Sequence, residues 1–260
     1  MPKGRFLGSV LPLTARISIP EIPYATCYGE GGLVLDLEIS IANSIVEVDC
    51  TMSHFDEVTF PYAHVKSLDL ARAAVDLVAF GTGWGLSVNF HTFIGPDRTR
   101  KNLLPSHEGL SQLCTAYKPT FAQPQKDKDF QKMLLLVFEE PPLFLALHDL
   151  TQAITESHHA PVNCARAIEG LRTMMGPGEP RAKQWASFRH SLNVQEDYVR
   201  LITDQSVAAR HGERPFIHGS LVQEVVERSW MLMNRFLEFR KRGNQPLPLA
   251  EFPSLANTRS

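Results

Sequence analysis

Residues 33–41 read LVLDLEISI and residues 45–52 read IVEVDCTM. In the first stretch Leu33, Leu35, Leu37, Ile39 and Ile41 take every second place, with Asp36, Glu38 and Ser40 between them. Side chains of a strand alternate between two faces, so this pattern predicts a half-buried strand with one wet side. In the second stretch Val46, Val48, Cys50 and Met52 repeat the pattern, and Asn43–Ser44 supplies a turn between the two. Together they predict an antiparallel hairpin.

The period then changes. In SLDLARAAVDLVAF (67–80) Leu68, Ala71, Val75 and Val78 recur at helical spacing, with Ser67 placed to cap the N-terminus. GTGWG (81–85) stops that helix, and LSVNFHTF (86–93) alternates as a further strand. The glycines follow a helix and precede a strand. A dinucleotide-binding fingerprint needs the reverse order, so this stretch reads as a turn. These elements define an α+β fold whose N-terminal part, 1–125, is a mixed β/α domain with antiparallel strands.

The segment YKPTFAQPQKDKD (117–129), rich in Pro, Gln and charge, is the expected linker. Beyond it, 126–244 predicts an antiparallel all-α bundle. Leu143, Leu147, Leu150 and Ile154 mark one helix behind Pro141–Pro142, and Cys164, Ile168, Leu171 and Met175 mark a second, stopped by GPG (176–178). Trp185, Phe188 and Leu192 mark a third, and Tyr198, Leu201, Ile202 and Ala209 a fourth that ends at Gly212. The last helix opens on a capping box, Ser220 with Gln223, and runs through Leu221, Val225, Leu232, Phe236 and Phe239 to Gly243. Arg228, Arg235, Arg240, Lys241 and Arg242 on it form an expected basic strip, diluted by Glu224, Glu227 and Glu238. The tail, 245–260, is Pro-rich and expected to lie extended on the surface or loose.

Bulk properties narrow the function classes. The 260 residues are 43% hydrophobic and 21% charged, with formal net charge −2, a globular balance without a global basic charge for nucleic acid or anionic membrane. The start, MPKGRFLGSVLPLTA, has a short apolar run broken by Pro12, and MLLLVFEEPPLFLAL (133–147) is interrupted by Glu139–Pro142. No stretch reaches the roughly 20 apolar residues of a membrane span, so no membrane partner is expected. Cys27, Cys50, Cys114 and Cys164 are scattered without a C-x-x-C, which fits reduced thiols and a cytoplasmic protein with no zinc site.

Three places carry candidate chemistry. In SHHAP (157–161) His158 and His159 are neighbours on a helix and point about 100° apart, so a polar loop is expected rather than a metal site. In CARAIEGLR (164–172) Arg166, Glu169 and Arg172 share one helical face, either as an exposed ion-pair stripe or with Glu169 pairing a cation of the fourth helix such as Arg210. In VAARHGE (207–213) Arg210 and His211 stand at a helix end. They suit a C-terminal cap followed by Gly212, and they also suit proton transfer and phosphate stabilisation in metal-free RNA cleavage.

The C-terminal half, roughly 128–243, resembles a divergent HEPN domain. The carriers are NCARAIEGLR (163–172), YVRLITDQSVAARHG (198–212) and VQEVVERSWMLMNRFLEF (222–239). The resemblance implies a small helical bundle of the kind found in toxin, defence and RNA-processing systems, often as metal-independent RNases. The family signature places an Arg before a His near a helix end, with four to six residues between them. His211 stands where that His would be, but the matching positions are Asp204, Gln205 and Ser206, none of them basic. The resemblance therefore implies a non-catalytic relative.

The expected function is a binding or adaptor protein without cofactor, set in bacterial stress or defence, with a protein partner or a second copy. One alternative is an RNase using His211 and Arg210, with RNA as partner. The other is a small-ligand module between the two halves, walled by Trp84, Trp185 or Trp230.

Overall fold

The computed structural model describes residues 1–260 except 21, 23, 58, 105–108, 114–127, 157–158, 212, 214–218 and 258–260. The fold is α+β, a sheet followed by helices, in two units, Met1–Leu104 and Pro105–Ser260. Of the expected linker, 117–127 lie outside the described residues and 128–129 open a helix.

The first unit holds strands β1 (Lys3–Leu11), β2 (Ala25–Tyr28), β3 (Val34–Ala42), β4 (Ile45–Met52), β5 (Ser87–Ile94) and β6 (Arg100–Asn102), and helix α1 (Thr59–Thr82). The sheet order is β2-β3-β4-β1-β5-β6, and each neighbouring pair is antiparallel. The expected hairpin is β3–β4, in register from Leu35↔Met52 to Ala42↔Ile45. Asn43 and Ser44 both have positive φ, 50° and 64°, which suits the twist of a two-residue hairpin turn. Every residue placed on the inner face from Leu35 to Ile41 and from Val46 to Met52 is buried.

The apolar run near the N-terminus is the central strand β1. Gly4, Phe6, Gly8 and Val10 face inward from it. A Cβ on Gly8 would lie 2.4 Å from the Asn89 carbonyl oxygen, so only glycine lets β5 approach there, at the point where the β1–β5 register shifts. Phe6 stacks in an aromatic cluster with Phe90 and Phe93, at ring distances of 5.3 and 4.7 Å, closed from α1 by Phe60 and His64.

Helix α1 starts eight residues before the expected cap Ser67, which is buried in its interior. The cap is Asp56: its Oδ1 accepts from the Thr59 N–H at 2.8 Å, and Thr59 Oγ1 accepts from the Asp56 N–H at 3.0 Å. Pro61 stands near the start of α1, where its fixed φ suits a helix, so it does not end it.

The second unit contains α2 (Leu110–Leu113), α3 (Lys128–Glu139), α4 (Pro141–Thr155), α5 (Ala160–Thr173), α6 (Arg181–Leu192), α7 (Glu196–Asp204), α8 (Val207–Arg210) and α9 (Gly219–Lys241). Leu143, Leu150, Ile168, Leu171, Phe188, Leu192 and Phe236 are fully buried in one core. The expected fourth helix is two pieces, because the chain turns after Asp204, where Ser206 Oγ donates to the Thr203 carbonyl at 2.6 Å. Helix α9 starts at Gly219, so Ser220 is its second residue and not its cap.

The expected basic strip on α9 is split, with Lys241 and Arg242 exposed and Arg228 and Arg235 buried. Arg228 and Arg235 are only 6% and 5% exposed, because they share the inward face with Val225, Leu232 and Phe239. Arg235 donates to the carbonyls of Leu192 (2.8 Å), Asn193 (2.9 Å) and Pro253 (2.7 Å). Arg228 lies 4.5 Å from the Tyr198 ring and donates to Glu224 Oε1 (2.6 Å) and Asn257 Oδ1 (2.9 Å). Arg240 pairs with Glu140, and Arg242 with Glu251 and Glu238. Arg228, Arg235 and Arg242 fasten the tail, whose Leu247 is buried and whose Leu247 and Phe252 carbonyls accept from Asn193 Nδ2.

Candidate functional site

His211 is exposed, just past the single turn of α8, and its N–H donates to the carbonyls of Val207 (3.2 Å) and Ala208 (3.0 Å). The Glu213 N–H returns to the same Ala208 carbonyl at 3.0 Å. This is how a helix end closes its last turn, through main-chain groups alone. The Arg210 side chain, Gly212 and His218 lie outside the described residues, as does His158. His159 precedes α5 and meets Glu156 at 3.2 Å. Among the described residues no group of three or more His, Cys, Asp or Glu is placed to hold a metal ion.

Arg166 and Glu169 are brought together on α5, and each reaches a different neighbouring helix. Arg166 Nη2 lies 3.2 Å from Asp149 Oδ1 of α4. Glu169 Oε1 lies 3.3 Å from Arg181 Nη2 at the start of α6, so a cation of the third expected helix meets it, while the expected partner Arg210 has its side chain outside the described residues. Arg172 completes the stripe, donating to Gln184 Oε1 at 2.8 Å beside the Trp185 ring, and burial lowers its pKa. The stripe ties α4, α5 and α6 together rather than simply facing water.

Arg166 and Glu169 also border a groove of about 330 Å³ between α4 and α5. Pro141, Pro142, Leu145 and Ala146 come from α4 with Asp149, and Gly170 comes from α5. A Cβ on Gly170 would meet the Pro142 carbonyl at 3.5 Å, so the helices approach closely at this floor. Asp149 is the group that sequence reading missed. Its side chain is 10% exposed, and burial raises its pKa while Arg166 pulls it down. The available signal was a carboxylate one residue before Leu150 on the apolar side of a strongly patterned helix.

The helix that precedes α4 carries an apolar surface. Helix α3 packs Met133, Leu136 and Val137 on the core, yet its other side carries Leu134, Leu135 and Phe138, 40%, 58% and 69% exposed. Phe144 and Leu145 on α4 are half exposed as well. A helix on the outside of a domain ordinarily presents polar residues to water; α3 is apolar on both sides through 133–138. Of the tryptophans, Trp84 is half exposed after α1, while Trp185 and Trp230 pack on the helical core. No helix among the described residues is long and apolar enough to cross a membrane.

Comparison with curated proteins and with solved structures gives no match. Residues 5–104 match the N-terminal domain of DUF8168, a domain of unknown function, and residues 130–241 match the C-terminal domain of the same family. The first match ends where the sheet unit ends, and the second runs from α3 to the end of α9. Most of the chain is thus accounted for by the two DUF8168 domains, one after the other, and the chain belongs to that family.

Proposed function

We propose that this chain is a non-catalytic binding or adaptor protein whose helical unit, HEPN-like by the resemblance above, docks a protein partner or a second copy through α3 and α4. The observation that carries the reading is the exposed row Leu134, Leu135 and Phe138 on a helix whose opposite side already packs on the core. Apolar patches of this kind are characteristic of interaction surfaces. Arg228 and Arg235 of the basic strip are folded inward, so these two offer no surface to nucleic acid. Free Cys27, Cys50 and Cys164 suit a reducing, cytoplasmic setting.

The test compares tagged full chain with Leu135→Asp/Phe138→Asp, by sedimentation at micromolar concentration and by stoichiometric co-purification. The wild type should self-associate or hold one partner, and the double variant should lose it. Unchanged company would reject the reading. So would RNA cleavage in EDTA that His211→Ala abolishes.

A further inference from the structure

We infer that the partner at α3 is a second copy of this chain, and that the two α3 helices lie antiparallel across a two-fold axis at Leu135. This rests on the adaptor reading and deepens it by naming the partner and how it lies.

The outer row of α3 is bipolar. Lys132 stands one turn before Leu135 and Glu139 one turn after it, and both are exposed. Successive helical residues turn by about 100° and rise by about 1.5 Å. On that wheel Lys132 and Glu139 share one flank of Leu135, while Leu134 and Phe138 lie on the other. A two-fold axis across the helices at Leu135 reverses the direction of the second copy and keeps each flank on its own side. Lys132 of each copy then meets Glu139 of the other at nearly the same height. On the opposite flank Phe138 of each copy meets Leu134 of the other, and Leu135 meets its own mate on the axis. Lys132 also has an interaction within its own chain. An ammonium has three N–H donors, so a contact with Glu139 of the second copy adds to it.

The order of charges selects this partner and this direction. A parallel pair would set Lys132 against Lys132 and Glu139 against Glu139, and like charges so placed are costly. A partner of uniform charge would meet a like charge at one end of the row. A second copy laid antiparallel brings both signs in the order required, with one patch serving both sides and the assembly closing at two. Phe144 and Leu145 stand half exposed just past the corner at Glu140 and extend the apolar ground beyond α3.

The test is sedimentation of the full chain across micromolar concentrations, for wild type, Lys132→Glu, Glu139→Lys and the two changes combined in one chain. Circular dichroism first confirms that each keeps its helical content. The wild type should be dimeric. Each single reversal replaces two attractive contacts by two repulsive ones and should weaken the dimer by about tenfold or more. The combined variant exchanges the two ends of the row and should recover most of the lost affinity, which a variant weakened by misfolding would not. A dimer indifferent to the single reversals, or a combined variant as weak as the singles, would overturn the inference. If that dimer is nonetheless lost with Leu135→Asp/Phe138→Asp, or a monomeric wild type holds another protein that this double variant loses, the adaptor reading stands and this inference alone falls. A chain that stays monomeric and binds nothing rejects both, as does a dimer that none of these variants touches.

Discussion

The two units dispose of charge in opposite ways. In the sheet unit Arg5 stands on the outer face, its guanidinium spread across Asp49 (2.6 and 2.8 Å) and Glu47 (3.1 Å), while the buried residues of β1, β3 and β4 are apolar or glycine. In the helical unit Arg228 and Arg235 are inside, and main-chain carbonyls take much of the place of counter-ions. A strand has only two faces, so alternation sorts charge without ambiguity. A helix spreads residues around a cylinder, and a long arginine can start on the inner face and still reach polar atoms of a strapped segment. The contrast shows that a charged residue at a core position of a helix can be a fastening for another part of the chain.

The largest effects should come from the sheet core. Phe6→Ala removes the ring shared by Phe60, Phe90 and Phe93 and should cost about 3–5 kcal/mol in urea unfolding. Next, Arg235→Ala should cost about 3 kcal/mol, because it leaves three carbonyls without their donor, and should make the tail beyond Asn244 sensitive to protease. The matching change in the other unit, Arg5→Ala, should cost about 1 kcal/mol or less, since that side chain is 43% exposed. Equal losses for the two arginines would break the comparison.

Two pH slopes of opposite sign sharpen it further. Burial among Phe6, Phe60 and Phe90 lowers the His64 pKa, so the unfolded chain binds its proton more readily. His64 therefore contributes stability above about pH 6.5 that is lost on acidification, and His64→Phe should flatten that part of the profile. Burial raises the Asp149 pKa, so there the folded state holds the proton more tightly. Its contribution is present below about pH 4 and lost as pH rises through the folded value, and Asp149→Asn should remove that loss. Both are read from unfolding midpoints across pH.

Much of the fold was legible because local pattern and tertiary burial agree. Leu35 to Ile41 and Val46 to Met52 alternate in sequence and in burial, and Pro141–Pro142 opens α4 as the helical spacing after it requires. Strand β1 was obscured because its inner positions include Gly4 and Gly8, which carry no apolar side chain to show the alternation. The start of α1 was obscured by Pro61, and the inward turn of Arg228 and Arg235 by their charge, since their partners lie up to 43 residues away in the chain. For the site, Arg166 and Glu169 were found from their spacing, while Asp149 and the outer row of α3 were not. Whether an apolar residue faces core or water is settled by which neighbours cover it, and Leu135 and Phe138 look no different in sequence from Leu136 and Val137.

The central claim is that the outer row of α3 serves binding and not folding, and urea unfolding of Leu135→Asp/Phe138→Asp beside wild type tests it most directly. The account predicts a midpoint within about 0.5 kcal/mol of wild type, as for substitutions at exposed positions, with the partner or second copy lost. A destabilisation of about 2 kcal/mol or more would place those side chains in a core and contradict it.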